Sequence, residues 1–71
     1  MHDPYDLAQT GKVLEIHGEV AIVDLGGGTL IKAKTTMTDT KPGDYVLVHA
    51  GYIIRVIDVE EAERMLDRWR Q

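Results

Sequence analysis

Apolar residues along this chain occur in short runs that are bounded by glycine. The run at residues 12–17 places Leu14 and Ile16 on one face of an extended segment, and an apolar, β-branched run follows at residues 19–25. A single glycine separates the two runs, so the pattern predicts two strands joined by a tight turn. Three consecutive glycines and a third strand pattern at residues 29–35 come next. The first half of the chain is therefore predicted to form a three-stranded meander.

The second half contains two more apolar runs, which begin after a turn sequence. The Pro-Gly-Asp segment at residues 42–44 is typical of a tight turn, since proline presets φ and glycine closes the bend. Residues 45–50 and 52–57 are both rich in β-branched residues, and only Gly51 lies between them, which favours a bulge or a sharp bend. Neither run alternates cleanly, which indicates that both faces are at least partly covered. The five predicted strands fit a small closed barrel with a helix packed on one side.

The last segment is predicted to be an α-helix. Asp58 is a suitable N-cap and Glu61 follows three residues later, which is the spacing of a capping box. Acidic residues lie in the first turns and arginines lie toward the C-terminal end, where each sign of charge interacts favourably with the helix dipole. An apolar stripe runs along this helix and consists of Val59, Ala62, Met65, Leu66 and Trp69. The stripe needs a partner, which is either the barrel itself or another protein.

Length, cysteine content and charge restrict the class of protein. A chain of 71 residues forms one small domain and leaves little room for a large enclosed active site. The absence of cysteine excludes a disulfide scaffold, a structural zinc ribbon, an iron–sulfur cluster and a thiol nucleophile. A formal net charge of −4 gives no basic footprint for nucleic acid. No apolar run approaches the roughly 20 residues that span a bilayer, and no signal-peptide pattern opens the chain, so we expect a cytoplasmic protein without a membrane segment.

The chain divides into three predicted regions. Residues 1–10 show neither helical nor strand periodicity and are expected to be a flexible N-terminal extension. Residues 11–58 carry the strand patterns and are assigned to the β-barrel. Residues 59–70 are assigned to the C-terminal amphipathic helix. The predicted fold is therefore mainly β, with five strands in a barrel and one α-helix.

Histidines are the candidates for chemistry in this chain. His49 lies in an apolar strand beside Gly51, where an imidazole binds metal or exchanges protons, although a single strand histidine is more often a structural residue. His17 is expected to be solvent-exposed in a turn, and His2 with the terminal amine is a weak chelator. The chain contains no serine, no nucleophile elbow, no His-Glu-x-x-His pair and no phosphate loop. We therefore predict no catalytic residue and expect a protein that is not an enzyme.

Three stretches of the sequence together resemble one protein family. They are Gly-Lys-Val-Leu-Glu-Ile at residues 11–16, Val-Asp-Leu-Gly-Gly at residues 23–27, and Pro-Gly-Asp-Tyr-Val-Leu-Val-His-Ala-Gly-Tyr at residues 42–52. These stretches, which lead into an acidic helix, resemble the HypC/HupF/HybG family of nickel–iron hydrogenase assembly chaperones over residues 6–68. The resemblance implies a small oligonucleotide-binding-type (OB-like) barrel with a C-terminal helix. It also implies a non-enzymatic carrier that binds the HypD-type scaffold and then the hydrogenase large-subunit precursor while the iron centre is assembled.

The resemblance also implies two functional positions. Family members carry a cysteine directly after the initiator methionine and a histidine in the Val-His-Ala-Gly stretch, which is His49 in this chain. Alignment of residues 7–13 with the family's opening places Asp6 at the cysteine position and Thr10 at the position of the usual proline. A carboxylate is a harder and weaker ligand than a thiolate for low-spin iron, and it cannot form a mixed disulfide. The family-motif or partner-binding positions implied for this chain are Asp6, Gly43, Asp44, His49 and Gly51.

Three functions are compatible with the sequence. The first is a family chaperone that docks on the large-subunit precursor or the HypD-type scaffold through His49, with transient iron handling weakened by the missing cysteine. The second is a repurposed interaction module for another metalloenzyme or for a homo-oligomer, with Leu66 and Trp69 on a partner-facing helix. The third is a metal-binding protein in which His2, Asp6 and His49 form a nitrogen and oxygen ligand set for Ni²⁺ or Zn²⁺.

Overall fold

The chain folds into five β-strands followed by one α-helix. The computed structural model describes the backbone of residues 8–69 and the side chains of residues 8–64. The elements are β1 (Gln9–His17), β2 (Val20–Asp24), β3 (Leu30–Lys34), β4 (Tyr45–His49), β5 (Tyr52–Ile57) and α1 (Val59–Trp69). The mainly β fold, the five strands and the terminal helix predicted from the sequence are confirmed. Within the described residues, α1 is too short and too polar to cross a bilayer.

The strands close into a barrel in the order β1-β2-β3-β5-β4. The first strand serves two neighbours: its residues from Gln9 to Lys12 pair with β4, and those from Lys12 to His17 pair with β2. Both of these ladders are antiparallel, as are the β2–β3 and β4–β5 ladders. The β3 and β5 strands run parallel and share a single register pair, Lys34 with Tyr52. The predicted meander and the predicted OB-like closed barrel are therefore confirmed.

The start of the barrel lies earlier than the predicted boundary at residue 11. Gln9 and Thr10 already belong to β1, and Ala8 is buried. These two residues are held by pairing with β4. Because that pairing joins distant parts of the chain, it produces no local pattern from which the boundary could be predicted. The remainder of the predicted extension, including His2 and Asp6, lies outside the described residues.

Two hydrophobic clusters hold the structure together. The barrel interior is filled by small and β-branched side chains, namely Val13, Ala21, Val23, Ala33, Val46, Val48 and Ile53. The second cluster lies between the barrel and α1 and contains Ala8, Leu47, Ile57 and Ala62. The alternating side chains of β4 therefore serve both clusters, since Val46 and Val48 face the interior and Leu47 faces the helix.

The predicted facing of Leu14 is wrong. Val13 is 1% exposed whereas Leu14 is 43% exposed, and Ile16 is partly buried against the barrel interior. The register of β1 against β2 shifts between Val13 and Glu15, so Leu14 is the extra residue of a β-bulge. The bulge breaks simple alternation and allows Val13 and Ile16 to pack on the same side.

Both turns predicted from glycine and proline are present. In the turn before β4, the Asp44 N–H donates to the Lys41 carbonyl at 3.1 Å, and the Lys41 N–H donates to the Asp44 carboxylate at 2.9 Å. The glycine-rich segment closes the β2–β3 connection, where the Leu25 N–H donates to the Thr29 carbonyl at 2.9 Å. Local turn chemistry therefore determines both connections.

The N-terminal end of α1 is capped as predicted, but only half of the capping box forms. The Glu61 N–H donates to the Asp58 carboxylate at 2.7 Å, which confirms Asp58 as the N-cap. The Glu61 carboxylate accepts hydrogen bonds from the Arg55 guanidinium at 3.0 and 3.2 Å, so it connects α1 to β5 rather than returning to its own cap.

The apolar stripe of α1 is only partly buried in the barrel. Ala62 is fully buried in the second cluster, whereas Val59 is 53% exposed, so of the two stripe residues with described side chains only Ala62 has the barrel as its partner. The side chains of Met65, Leu66 and Trp69 lie outside the described residues, and their partner-facing role stays a prediction.

Candidate functional site

His49 lies at the end of β4, beside a two-residue hairpin turn. It pairs with Tyr52, the first residue of β5, and Ala50 and Gly51 form the connection. Both turn residues have positive φ, 52° at Ala50 and 83° at Gly51, which is the pattern of the type I′ turn that suits the twist of paired strands. Ala50 is the only non-glycine residue in the described chain with positive φ. The predicted sharp bend is thus a tight turn that holds His49 at the barrel end.

Alternation along β4 determines which way His49 faces. Val48 points into the barrel, so the imidazole lies on the outer face that it shares with Leu47, and it is partly exposed. Leu47 and Val48 are both buried and anchor the strand on two sides. His49 is therefore presented to solvent from a backbone that its neighbours hold in place.

The first strand begins directly beside His49. Gln9 is paired with Val48, so one further step along the same antiparallel register places residue 8 opposite His49. The chain therefore enters the barrel at the histidine. This proximity joins two parts of the sequence that are about forty positions apart, and no local pattern could have predicted it.

Lys34 and Tyr52 also lie at this barrel end and were missed by sequence reasoning. The Lys34 N–H donates to the Gly51 carbonyl at 2.8 Å, which ties the end of β3 to the hairpin turn. The Lys34 ammonium lies 5.4 Å from the centroid of the Tyr52 ring, within the range of a cation–π contact. The alternating lysines of β3 indicate an exposed strand face, but their proximity to Tyr52 depends on the non-local pairing of β3 with β5.

The other residues of the family motif do not all gather at His49. Gly51 is next to the histidine in the hairpin turn. Gly43 and Asp44 precede β4, which places them at the opposite end of that strand, roughly 17–20 Å from His49 at the usual rise of a strand residue. There the Gly43 N–H and the Asp44 carbonyl each form a 2.8 Å hydrogen bond with the backbone of Val13. Their described contacts fasten β4 to the bulge of β1.

The described residues contain no cluster of three or more histidine, aspartate or glutamate side chains that could hold a metal ion. His17 forms a 2.9 Å contact with Glu15, and both side chains are about two-thirds exposed, at 68% and 66%. The predicted ligand set of His2, Asp6 and His49 includes two residues beyond the described part of the chain, so this set stays a prediction.

Comparison with known proteins shows which family this sequence matches. The model of the HupF/HypC family matches residues 7–69, which include the whole barrel, the helix and His49. The chain belongs to the HupF/HypC family. It is 43% identical over 61 residues to the hydrogenase maturation factor HypC of Cupriavidus necator, an alignment that covers 84% of this chain and 68% of that protein. It is also 47% identical over 47 residues to the factor of the same name from Rhizobium leguminosarum bv. viciae, covering 66% of this chain and 63% of that protein.

Family membership gives the hairpin its functional weight. The HupF/HypC match begins at residue 7, so Asp6 lies outside it and the role predicted for Asp6 stays a prediction. Of the predicted motif positions, His49 and Gly51 lie at the type I′ hairpin where β1 begins, and their functional roles stay predictions. Lys34 and Tyr52 lie beside the same turn, so the candidate site also includes residues that are not among the predicted motif positions.

Proposed function

We propose that this protein is an accessory chaperone of hydrogenase maturation that docks on the hydrogenase large-subunit precursor, on a HypD-type scaffold, or on both in turn. Membership of the HupF/HypC family and the naming of two relatives as hydrogenase maturation factors support this proposal. The chaperone works by surface contact and catalyses no reaction. Its docking surface is centred on His49.

The observation that carries the proposal is the placement of His49. A partly exposed imidazole on a two-residue turn is held by buried neighbours on the same strand, so little side-chain and backbone freedom is lost when a partner binds. An imidazole accepts or donates hydrogen bonds and also coordinates metals, so it suits contact with a metallocentre precursor. Gln9, at the start of β1, pairs with Val48 directly beside His49.

Iron, in this role, is cargo that passes through the complex. The cysteine that family members offer to such cargo is absent from this chain, and a carboxylate at Asp6 is a poorer ligand for soft, low-spin iron. We propose that the thiolate chemistry belongs to the HypD-type partner or to a second, cysteine-bearing family member. The present chain contributes docking and the imidazole.

Affinity capture from a hydrogenase-producing cell tests this proposal. The tagged protein is expressed in that cell, and captured proteins are identified by mass spectrometry for the unmodified chain, His49→Ala and His17→Ala. His17→Ala is the matched control because that side chain is exposed at another turn of the barrel. We expect the unmodified chain and His17→Ala to capture a large-subunit precursor or a HypD-type protein, and His49→Ala to bind that partner about thirtyfold more weakly, which corresponds to the roughly 2 kcal/mol that defines a binding hot spot.

Two results would contradict the proposal. One is equal capture of the same partner by His49→Ala and by the control. The other is the absence of any hydrogenase precursor or maturation protein from the eluate, with a different metalloenzyme or only a second copy of the chain in its place. That second result would favour the repurposed interaction module.

A further inference from the structure

One edge of β3 remains open next to the His49 hairpin. The β3 and β5 strands run parallel, and their register pair joins the last residue of β3 to the first residue of β5. Because β5 begins alongside Lys34, residues 30–33 have no β5 residue beside them. The residues that precede Tyr52 form the Ala50–Gly51 turn, which leads back to β4. Residues 30–34, which we name the β3 edge, pair with β2 on one side, and on the other side Lys34 alone has a partner among the described residues.

Backbone alternation shows which groups point to the open side. The Lys34 N–H donates to the Gly51 carbonyl, whereas the Thr35 N–H donates to the turn that precedes β2. Successive residues of a strand direct their backbone groups to opposite sides, so Leu30 and Lys32 share the direction of Lys34. Within residues 8–69, no pairing of these two residues occurs on that side. Each offers one N–H and one C=O to an incoming strand.

The side chains of the β3 edge are basic and exposed. Lys32 and Lys34 are both exposed, and their neighbours across the ladder in β2 are Ile22 and Val20, which do not neutralise them. Leu30, at the far end of the strand, is 56% exposed. Asp24 lies opposite Leu30 in this ladder, but its carboxylate accepts a hydrogen bond from the Gly26 N–H. Neither lysine forms an ion pair within the described residues, so the two lysines are a local positive feature on a chain of net charge −4.

We propose that the β3 edge binds an extended acidic segment of a partner protein by β-strand addition. Main-chain hydrogen bonds to Leu30 and Lys32 supply the affinity, and the two lysines select acidic residues at alternate positions. The inference rests on the proposed function, for which it supplies a second contact that continues from the His49 hairpin. A docked partner would then contact the imidazole and the strand edge together.

A second copy of this chain is a poorer occupant of the same edge. Symmetric antiparallel pairing of two β3 edges would bring lysines of one copy against lysines of the other, and like charges directly opposite are unfavourable. Lysine on an edge strand is also a common means of blocking self-association. The charge pattern therefore favours an acidic partner over a homodimer.

The test uses the isotope-labelled full chain and two synthetic peptides. One capped hexapeptide alternates glutamate with valine, and its counterpart replaces each glutamate by lysine. We expect the acidic peptide to shift the backbone amide resonances of Leu30 and Lys32 and to slow their hydrogen exchange. We also expect this effect to weaken as ionic strength rises, and the basic peptide to leave both amides unchanged.

Substitutions then separate charge from backbone pairing. Lys32→Gln and Lys34→Gln should each weaken binding of the acidic peptide about two- to fivefold, as expected for exposed charge pairs, whereas Lys41→Gln, in the turn before β4, should not. Lys32→Pro removes an N–H from the open side, a position where proline is tolerated on edge strands, and should reduce binding further. If Lys32→Pro fails to fold, the hydrogen exchange of Leu30 and Lys32 in the unmodified chain still decides.

Three outcomes would overturn the inference. They are no perturbation at the β3 edge up to the solubility limit of the acidic peptide, equal effects of the two peptides, and dimerisation of the Lys32→Gln, Lys34→Gln double variant without any change in peptide binding. The last outcome would mean that the lysines only prevent self-pairing. Because the peptides require no hydrogenase, failure of peptide binding is distinguishable from failure of the capture experiment, which depends on His49.

Discussion

The hairpin turn beside His49 contains an alanine in a conformation that L-residues rarely adopt. Ala50 has φ of 52° and Gly51 has φ of 83°, and the first position of such a turn favours asparagine. Ala50 is exposed, so replacing it changes the backbone preference with little effect on packing. We predict that Ala50→Asn stabilises the protein and that Gly51→Ala destabilises it.

The magnitudes follow from the cost of left-handed backbone. That conformation costs an L-residue about 1–2 kcal/mol, and asparagine recovers part of this because its short polar side chain bonds locally. We expect Ala50→Asn to raise the free energy of unfolding by about 0.5–1 kcal/mol, which is about 2–8 °C in Tm for a domain of this size. A Cβ built on Gly51 meets no atom within 4 Å, so Gly51→Ala should lose only the backbone term, about 1–2 kcal/mol.

Urea denaturation followed by circular dichroism measures both changes. The m-value should stay constant, since neither substitution alters the surface exposed on unfolding. Ala50→Gly is the matched control: it relieves the whole strain of about 1–2 kcal/mol but adds about 0.5–1 kcal/mol of unfolded-state entropy, so it should stabilise the protein by about 0.5–1 kcal/mol, as Ala50→Asn does. A neutral or destabilising Ala50→Asn, or a Gly51→Ala variant as stable as the parent, would refute the reasoning.

Three further predictions concern packing and capping, each measured by urea denaturation. Gly11→Ala should lower the free energy of unfolding by about 1–3 kcal/mol, because the new Cβ would overlap the fully buried Val23 side chain and lie 3.0 Å from the Asp24 carbonyl oxygen. A Gly11→Ala, Val23→Ala double variant that is less stable than the sum of the single changes would contradict this. Asp58→Ala should cost about 1 kcal/mol through loss of the helix cap, and Asp58→Asn, which retains a capping oxygen, should cost much less; equal losses would count against the cap. Ile53→Ala should cost about 2–5 kcal/mol and Ile53→Val about 0.5–1.5 kcal/mol, because Ile53 is fully buried in the barrel interior, and a loss below 1 kcal/mol for alanine would show that the interior collapses around the change.

Local chemistry was sufficient to predict the elements of this fold but not all of their facings. The turn before β4 and the Asp58 cap depend on residues that are close in sequence, so short patterns reveal them. The facing of Leu14 depends on a bulge in the β1–β2 ladder, which a period-two pattern does not anticipate. The Glu61 side chain departs from its predicted role because Arg55, on another element, offers a charged partner.

The candidate site was predictable only at its centre. The family resemblance pointed to His49, and the structure shows the residues around it, which belong to the ends of β1, β3 and β5. Lys34 reaches the site through the parallel β3–β5 pair, and Gln9 reaches it through the β1–β4 ladder. Both pairings join residues that are distant in sequence, so neither could be inferred from spacing along the chain.

The double pairing of β1 has a consequence for the order in which this protein folds. The meander from β1 to β3 and the β4–β5 hairpin contain only contacts between neighbours in sequence, and such contacts form early because little loop entropy is lost. The ladder between Gln9 and Val48 closes the longest loop in the barrel, so we expect it to form last. Until then the apolar side chains of β4 face water, and the nascent chain has an interval in which it is prone to aggregate. The pairing of β1 with β4, which places Gln9 next to Val48, is thus also the step that ends this interval.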